Sequence, residues 1–415
     1  MQTTFGTWVH RILGTLAFAR AAGIGVVCLA AGMACAAAGA RELRVTNAAE
    51  LKAAIAAVTP GDTIVVPPGT YDMGQSLATG VDGIKGRPIV LACAGDSGYA
   101  QLKANGQVAF RIKSKFWTFR GIHFQGDPAR TEATVFMDGP NGCGHVRFID
   151  CRISGSKAHG MKGAKTVERP VHDVVIEHTE LFDTGSTGFD LVCGDDWVLR
   201  GNYVHDYGKA GGVTYGIFLK GGGRNGVVDG NVVDGGGRSG TVGISFGGGL
   251  TGPQWLGTID GKPAPEHDKG VAMNNIVLNT GDVALHANNA SNCVFVNNLA
   301  WNCQNFQRQG SYPPDPLVAN NLLAGRARGA GKAADNVSPQ REWFTDSDAG
   351  DFRLTPAGAA VVAGKGAVIP AVTSDFFGTA RKGGKNVLGP VLPGARHSTT
   401  WIDRRLKASD RSPRR

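Results

Sequence analysis

Short words of alternating apolar and polar residues recur along the chain, and one register runs through them: Phe119-Arg120-Gly121-Ile122, Phe148-Ile149-Asp150-Cys151, Ile176-Glu177-His178-Thr179, Leu199-Arg200-Gly201-Asn202, Val228-Asp229-Gly230-Asn231, Ala272-Met273-Asn274-Asn275, Phe295-Val296-Asn297-Asn298 and Val318-Ala319-Asn320-Asn321. Their last residues fall 29, 28, 23, 29, 44, 23 and 23 positions apart. A spacing of 23 that recurs, with longer intervals taken up by insertions, marks stacked coils. A second word follows in the later coils: Gly188-Phe189-Asp190-Leu191, Gly216-Ile217-Phe218-Leu219, Gly243-Ile244-Ser245-Phe246 and Asp282-Val283-Ala284-Leu285. Alternation with period two turns Phe189, Leu191, Ile217, Leu219, Ile244 and Phe246 inward and their neighbours outward. The pattern predicts an all-β chain, a single-stranded right-handed parallel β-helix (solenoid), over residues 41–392.

An open end of such a solenoid exposes apolar core and unpaired strand edge, so a cover is expected. Leu51, Ile55 and Val58 share one face of a predicted helix from about Ala48 to Ala57, ended by Pro60-Gly61-Asp62. This is the expected N-terminal capping helix, followed by the strand Thr63-Ile64-Val65-Val66. Asn202, Asn231, Asn275, Asn298 and Asn321 occupy one column, read as asparagines that bond to one another at the bends and tolerate left-handed backbone. The insertion Gly247–Lys269 is long enough to shape a cleft. After Asn321 the repeat fades into a segment expected to seal the C-terminal coil.

Composition narrows the picture. With 62 glycines, 19% charged and 7% aromatic residues in 415, tight turns are favoured over a helical bundle. Residues 1–40 hold His10, Arg11 and Arg20, no acid, an apolar run and the small stretch Ala36-Ala37-Ala38-Gly39-Ala40. They read as a signal peptide cleaved after Ala40, in preference to a lipoprotein signal at Cys35. A secreted or periplasmic, monomeric chain without a membrane span is expected. Six cysteines then remain, either paired in disulfides or stacked as buried thiols. The formal charge of +9 falls to +7 without the two leader arginines, and the net +4 of residues 401–415 leaves +3 on the body. The basic tail, 393–415, is expected to be disordered, and so small a charge on the body speaks against nucleic acid as a partner.

The words Pro60-Gly61-Asp62 through Gly69-Thr70-Tyr71, Gly86-Arg87-Pro88-Ile89-Val90 and Trp117-Thr118-Phe119-Arg120-Gly121-Ile122-His123-Phe124 are similar to the alginate lyase and chondroitinase B family of polysaccharide lyases. The whole chain resembles the pectate-lyase-like superfamily of right-handed β-helix proteins. The resemblance implies cleavage of an acidic, uronate-containing polysaccharide by β-elimination. It also implies calcium on acidic residues, a lysine base before an Asn-x-x-x-Asn-Cys coil and an arginine after it. Here that coil is Asn298-Leu299-Ala300-Trp301-Asn302-Cys303, Arg308 follows, Asn289 stands at the lysine position, and Asp282 is the one acid that remains before it.

A second lysine, Lys220 in Gly216-Ile217-Phe218-Leu219-Lys220-Gly221-Gly222, resembles the base of another, calcium-dependent pectate lyase family, whose word places it one residue earlier. The candidate set is therefore Lys220 as base with Arg224 and Arg308 on the substrate carboxylate; Lys162, His205 and His286 binding substrate; and Asp183, Asp190 and Asp206 as hard oxygen ligands for Ca²⁺. In the competing reading Lys220 is a solvated strand lysine and the aspartates are turn residues, which makes the chain a non-catalytic carbohydrate-binding or surface protein. A third is a glycoside hydrolase of polygalacturonase type using Asp195-Asp196.

Overall fold

The computed structural model describes residues 39–400 apart from 165–170, 250, 252–255, 260, 311, 325–326 and 382–386. The expected signal peptide and the end of the basic tail lie outside these residues. The chain winds through three long parallel sheets, contributing one strand to each per coil. Sheet A runs from Glu42–Arg44 to Lys332–Ala334, sheet B from Gly69–Asp72 to Leu299–Trp301, and sheet C from Leu77–Ala78 to Gln304–Gln309. The solenoid predicted from the repeat is the observed architecture.

Register follows from the apolar columns. On sheet A, Leu91, Phe119, Phe148, Ile176, Leu199 and Val228 pair in succession. On sheet C, Phe110, Val135, Met161, Phe189, Ile217, Ile244, Leu285 and Phe306 do the same. All are buried in one continuous core. A slip of one residue would turn each column out to water, so burial sets the pairing.

The helix Ala48–Ala57 forms where predicted, with Asn47 as N-cap accepting from the Glu50 N–H and Glu50 reaching back to the Thr46 N–H. Its Ile55 closes over Leu77, Leu91 and Leu102 of the first coils. The C-terminal segment behaves differently from expectation. Trp343, Phe344, Phe352 and Val362 pack on Val232, Ile276 and Leu299 of sheet B, while Val372 and Ile369 pack on Val227, Val271 and Val294 of sheet A. It therefore wraps the outer faces of two sheets, because those strands carry outward aliphatic residues that need cover. Neither cluster includes a residue of sheet C.

The asparagine column lies at the bend from sheet A to sheet B and is fully buried. Each side-chain NH₂ donates to the next asparagine's Oδ1, from Asn202 through Asn231, Asn275, Asn298 and Asn321 to Asn336, at 2.9–3.0 Å. Each NH₂ also donates to a strand carbonyl of the preceding coil, as Asn275 does to Val228 O. The left-handed conformation falls on the preceding residue instead: Gly201, Gly230, Asn274, Asn297 and Asn320 have positive φ, and the ladder asparagines do not. Five of the six cysteines are buried and Cys303 is partly so, in keeping with the buried-thiol alternative.

Asn275→Ala would strip partners from the backbone N–H and side chain of Asn231. We expect a loss of roughly 2–4 kcal/mol in denaturant unfolding. A loss below about 0.5 kcal/mol, the range of ordinary surface changes, would show that the ladder does not hold the coils.

Candidate functional site

The sheet that the C-terminal segment leaves open carries an outward column in strict register: Arg111, Phe136, Lys162, Asp190, Phe218, Ser245, His286 and Gln307. Strand spacing of about 4.8 Å makes this a line of side chains some 34 Å long. At its centre Lys162 Nζ donates to Asp190 Oδ2 at 2.5 Å, His159 Nδ1 lies 3.5 Å from the same oxygen, and Lys162 Nζ is 3.4 Å from His159 Nε2. The Asp190 side chain is 5% exposed, and its Oδ1 is buried with no hydrogen-bond partner among the described residues. A buried, unpaired carboxylate oxygen carries a desolvation cost that a ligand donor would relieve.

One coil further on, Lys220 lies beside the column with Nζ 4.6 Å from the centroid of the Phe218 ring. Tyr215 stacks on the other part of this surface, its ring 3.7 Å from that of Phe218. No ion pair of Lys220 occurs among the described residues. The insertion after Phe246 passes directly against this pair: a Cβ on Gly248 would stand 2.9 Å from Phe218 and 3.3 Å from Lys220 Cδ, so only glycine allows the approach. Buried Glu266 fastens the insertion by accepting the Gly221 N–H at 2.9 Å and the Thr251 N–H at 3.0 Å.

Electrostatics follow from that crowding. Burial pushes the Asp190 carboxyl up, but Lys162, His159 and Lys220 together outweigh it and hold the group below its ordinary value. His159 is pulled down by burial and by Lys162 and Lys220, against the opposing pull of Asp190. Burial raises Tyr215, with Asp282 and Asp190 adding to the shift. His286, which shares a 3.3 Å contact with Ser245 Oγ, is lowered to about 4 by burial.

The candidates from sequence divide accordingly. Lys162, Asp190, Lys220 and His286 share the outer face of sheet C, whereas Arg308 lies in the last strand in register with buried Ala287, in the inward column, where Asp315 holds it at 2.7 Å. Arg224 does not join them: it lies around the bend on the edge of sheet A, paired to Asp195 at 3.1 Å. His205 is on sheet B, stacked against Phe182 and Tyr203 and bonded to Glu180 and Asp206. Asp183 and Asp206 are corrected as a ligand set with Asp190. Both have left-handed backbone at the bend leaving sheet B, in the column that later coils fill with Asn279 and Asn302. Asp183 is bound by Lys209, and Asp206 by His205 and Arg238. The three carboxylates do not lie within 4.8 Å of one another, so they do not make the oxygen cage that calcium needs. Asp195 and Asp196 are bend residues bonded to Arg224 and Asn225. Asn289, at the position of the family's lysine, has left-handed backbone and donates to Gly248 O.

His159, Tyr215, Phe218 and Ser245 were not singled out from sequence. Alternation alone turns Phe218 and Ser245 outward beside Asp190, but the strand His159–Ala164 is not among the repeated words.

The sequence profile of the chondroitinase B family matches residues 45–183. The fold is similar to that of the pectate lyase Pel9A, with a TM-score of 0.62 at 14% identity over 86% of this chain and 97% of that one. It is also similar to an alginate lyase from Paenibacillus sp. str. FPU-7, with a TM-score of 0.51 at 19% identity over 72% and 99% of the two chains. A lacto-N-biosidase from Eubacterium ramulus gives a TM-score of 0.51 at 10% identity over 69% and 62%. Comparison with curated proteins gives no match. The chain thus has a right-handed parallel β-helix similar to that of the pectate lyase and alginate lyase it matches. At these identities the likeness is one of fold, and the fold hosts more than one chemistry. No helix among the described residues is long and apolar enough to cross a membrane.

The shared electrostatics of this face can be read from His159. Asp190→Asn removes the charge that raises its pKa, so an NMR titration should show the value fall further below the wild type. Lys220→Met removes a charge that lowers it, so the value should rise. Shifts of the opposite sign in either variant would mean that these groups do not face one another.

Proposed function

We propose that the outer face of sheet C binds an acidic, uronate-containing polysaccharide and cleaves it by β-elimination, with Lys220 as the base. The observation that carries the reading is the central cluster. Two lysines, a histidine and a tyrosine converge with aromatic rings around one buried, half-satisfied carboxylate on the uncovered sheet. A line of polar and aromatic side chains parallel to the solenoid axis suits an extended polymer, and the fold is one in which polysaccharide lyases occur.

In this mechanism the sugar carboxylate lies against Lys162, whose charge stabilises the carbanion that develops beside it. Asp190 holds Lys162 in place. Lys220 takes the proton from the carbon alpha to the carboxylate. The electron pair forms the new C=C bond, the C–O bond to the leaving sugar breaks, and Tyr215, kept protonated by burial, delivers a proton to that oxygen. Phe218 and Phe136 offer apolar rings for the sugar faces. His286, two strands from Phe218 in the outward column, is placed to contact the chain further along. No step needs calcium, since only Asp190 of the three acids lies here.

The protein is to be incubated with alginate, pectate and chondroitin, with Ca²⁺ and with a chelator, while the ultraviolet absorbance of the unsaturated uronate is followed. Product is expected from at least one polymer and is expected to survive chelation. Lys220→Ala should lower kcat by about 100-fold or more, and Tyr215→Phe by a smaller factor. Binding of a uronan without any unsaturated product would replace this reading with that of a non-catalytic carbohydrate-binding protein. Loss of activity on chelation would restore calcium to the site.

A further inference from the structure

Away from sheet C, the bend entering sheet A has a column of left-handed residues: Phe116, His145, Asp173, Asp196, Asn225, Lys269 and Asn292. Asparagine, aspartate and, to a lesser degree, histidine tolerate that backbone. His145 takes the place of an Asx residue, at φ 51°. Its ring is fixed by stacking on Phe116 at 4.3 Å and 7°. In the next coil Asp173 lies opposite His145, and His172 lies opposite Gly144. The His172 ring covers Gly144 so closely that a Cβ there would stand 3.2 Å from Nε2.

Three donors converge as a result. Nδ1 of His145 is 3.1 Å and Nδ1 of His172 is 2.9 Å from the same oxygen, Oδ2 of Asp173, and one ligand atom from each residue lies within 4.8 Å of the others. Two atoms bound to one ion at about 2.0–2.1 Å each stand about 3 Å apart, so these separations, at which His172 hydrogen-bonds Asp173 in the absence of an ion, also fit neighbouring ligands in a first coordination shell. We infer that His145, His172 and Asp173 bind one divalent transition-metal ion of the zinc class, stapling two adjacent coils of sheet A and leaving a coordination position open to solvent.

The donor set selects the ion. Two imidazoles and one carboxylate suit zinc and its neighbours, while calcium and magnesium prefer oxygen alone. Lys115 and Lys85 lie close enough to act on the His145 ring. The same lysines repel a dication and hold the affinity below that of a structural zinc cage. Asp195, opposite His172 in the following coil, is taken up by Arg224 and stays outside the set.

The test uses the full chain without an affinity tag, stripped with chelator and titrated with ZnCl₂ by calorimetry, alongside thermal unfolding with and without the metal. One Zn²⁺ per chain at micromolar affinity or tighter is expected, with a rise in Tm of several degrees and no comparable rise with Ca²⁺. His145→Asn and Asp173→Asn keep residues that accept the left-handed backbone, and each should weaken binding roughly tenfold or more. His172→Gln should abolish the Tm shift while the variant keeps the circular dichroism of the wild type. Absence of saturable Zn²⁺ binding, or binding unchanged in all three variants, would overturn the site. The outcome is independent of the lyase reading, because neither measurement involves substrate.

Discussion

Parallel, in-register pairing between successive coils is the constraint on which everything else rests. Sheet hydrogen bonds alone would tolerate sliding, but the buried ladder from Asn202 to Asn321 does not: each amide must meet both the next amide and a strand carbonyl one coil back. An unpaired amide in that position would be costly. Position in the coil therefore becomes position on the surface. Side chains far apart in sequence are placed about 4.8 Å apart in space.

The molecule breaks this regularity by covering its faces unequally. Outward valines and isoleucines on sheets A and B call for an apolar partner, and the C-terminal segment supplies Trp343, Phe352 and Val372. Sheet C offers Lys162, Asp190, Phe218 and Ser245 at the equivalent positions, so that segment finds no apolar seat there. The insertion held by Glu266 then forms a wall at Phe218 and Lys220. An elongated face bounded on one side is a shape suited to a polymer rather than to an enclosed small molecule.

Identical residue types have different chemistry in different columns. Asp206 is engaged by His205 and Arg238, and its hydrogen bond with His205 is the main cause holding its carboxyl well below the usual range. Asp190 is as strongly surrounded by cations but retains an oxygen without a partner. The first is a corner residue satisfied by its neighbours; the second sits mid-strand on an open face. At the opposite bend the same turn position holds Asn225 in one coil and His145 in another.

Much of this was legible in the chain. The 23-residue spacing, the alternation about Phe189, Ile217 and Ile244, and the capping pattern before Ala48 are local or periodic signals. They determine the solenoid, its core columns and the outward direction of Lys162, Asp190, Lys220 and His286. What the sequence could not show was that the bend carrying Asp183 and Asp206 lies away from the strand face carrying Asp190, so that the three acids do not meet. Nor could it show that Arg224 turns the corner, that His159 reaches Asp190, or that the C-terminal segment leaves one sheet bare. Those outcomes depend on contacts between coils and on competition for apolar surface, and neither is encoded in any single window of residues. Periodicity determines the columns; packing decides which column remains open to a ligand.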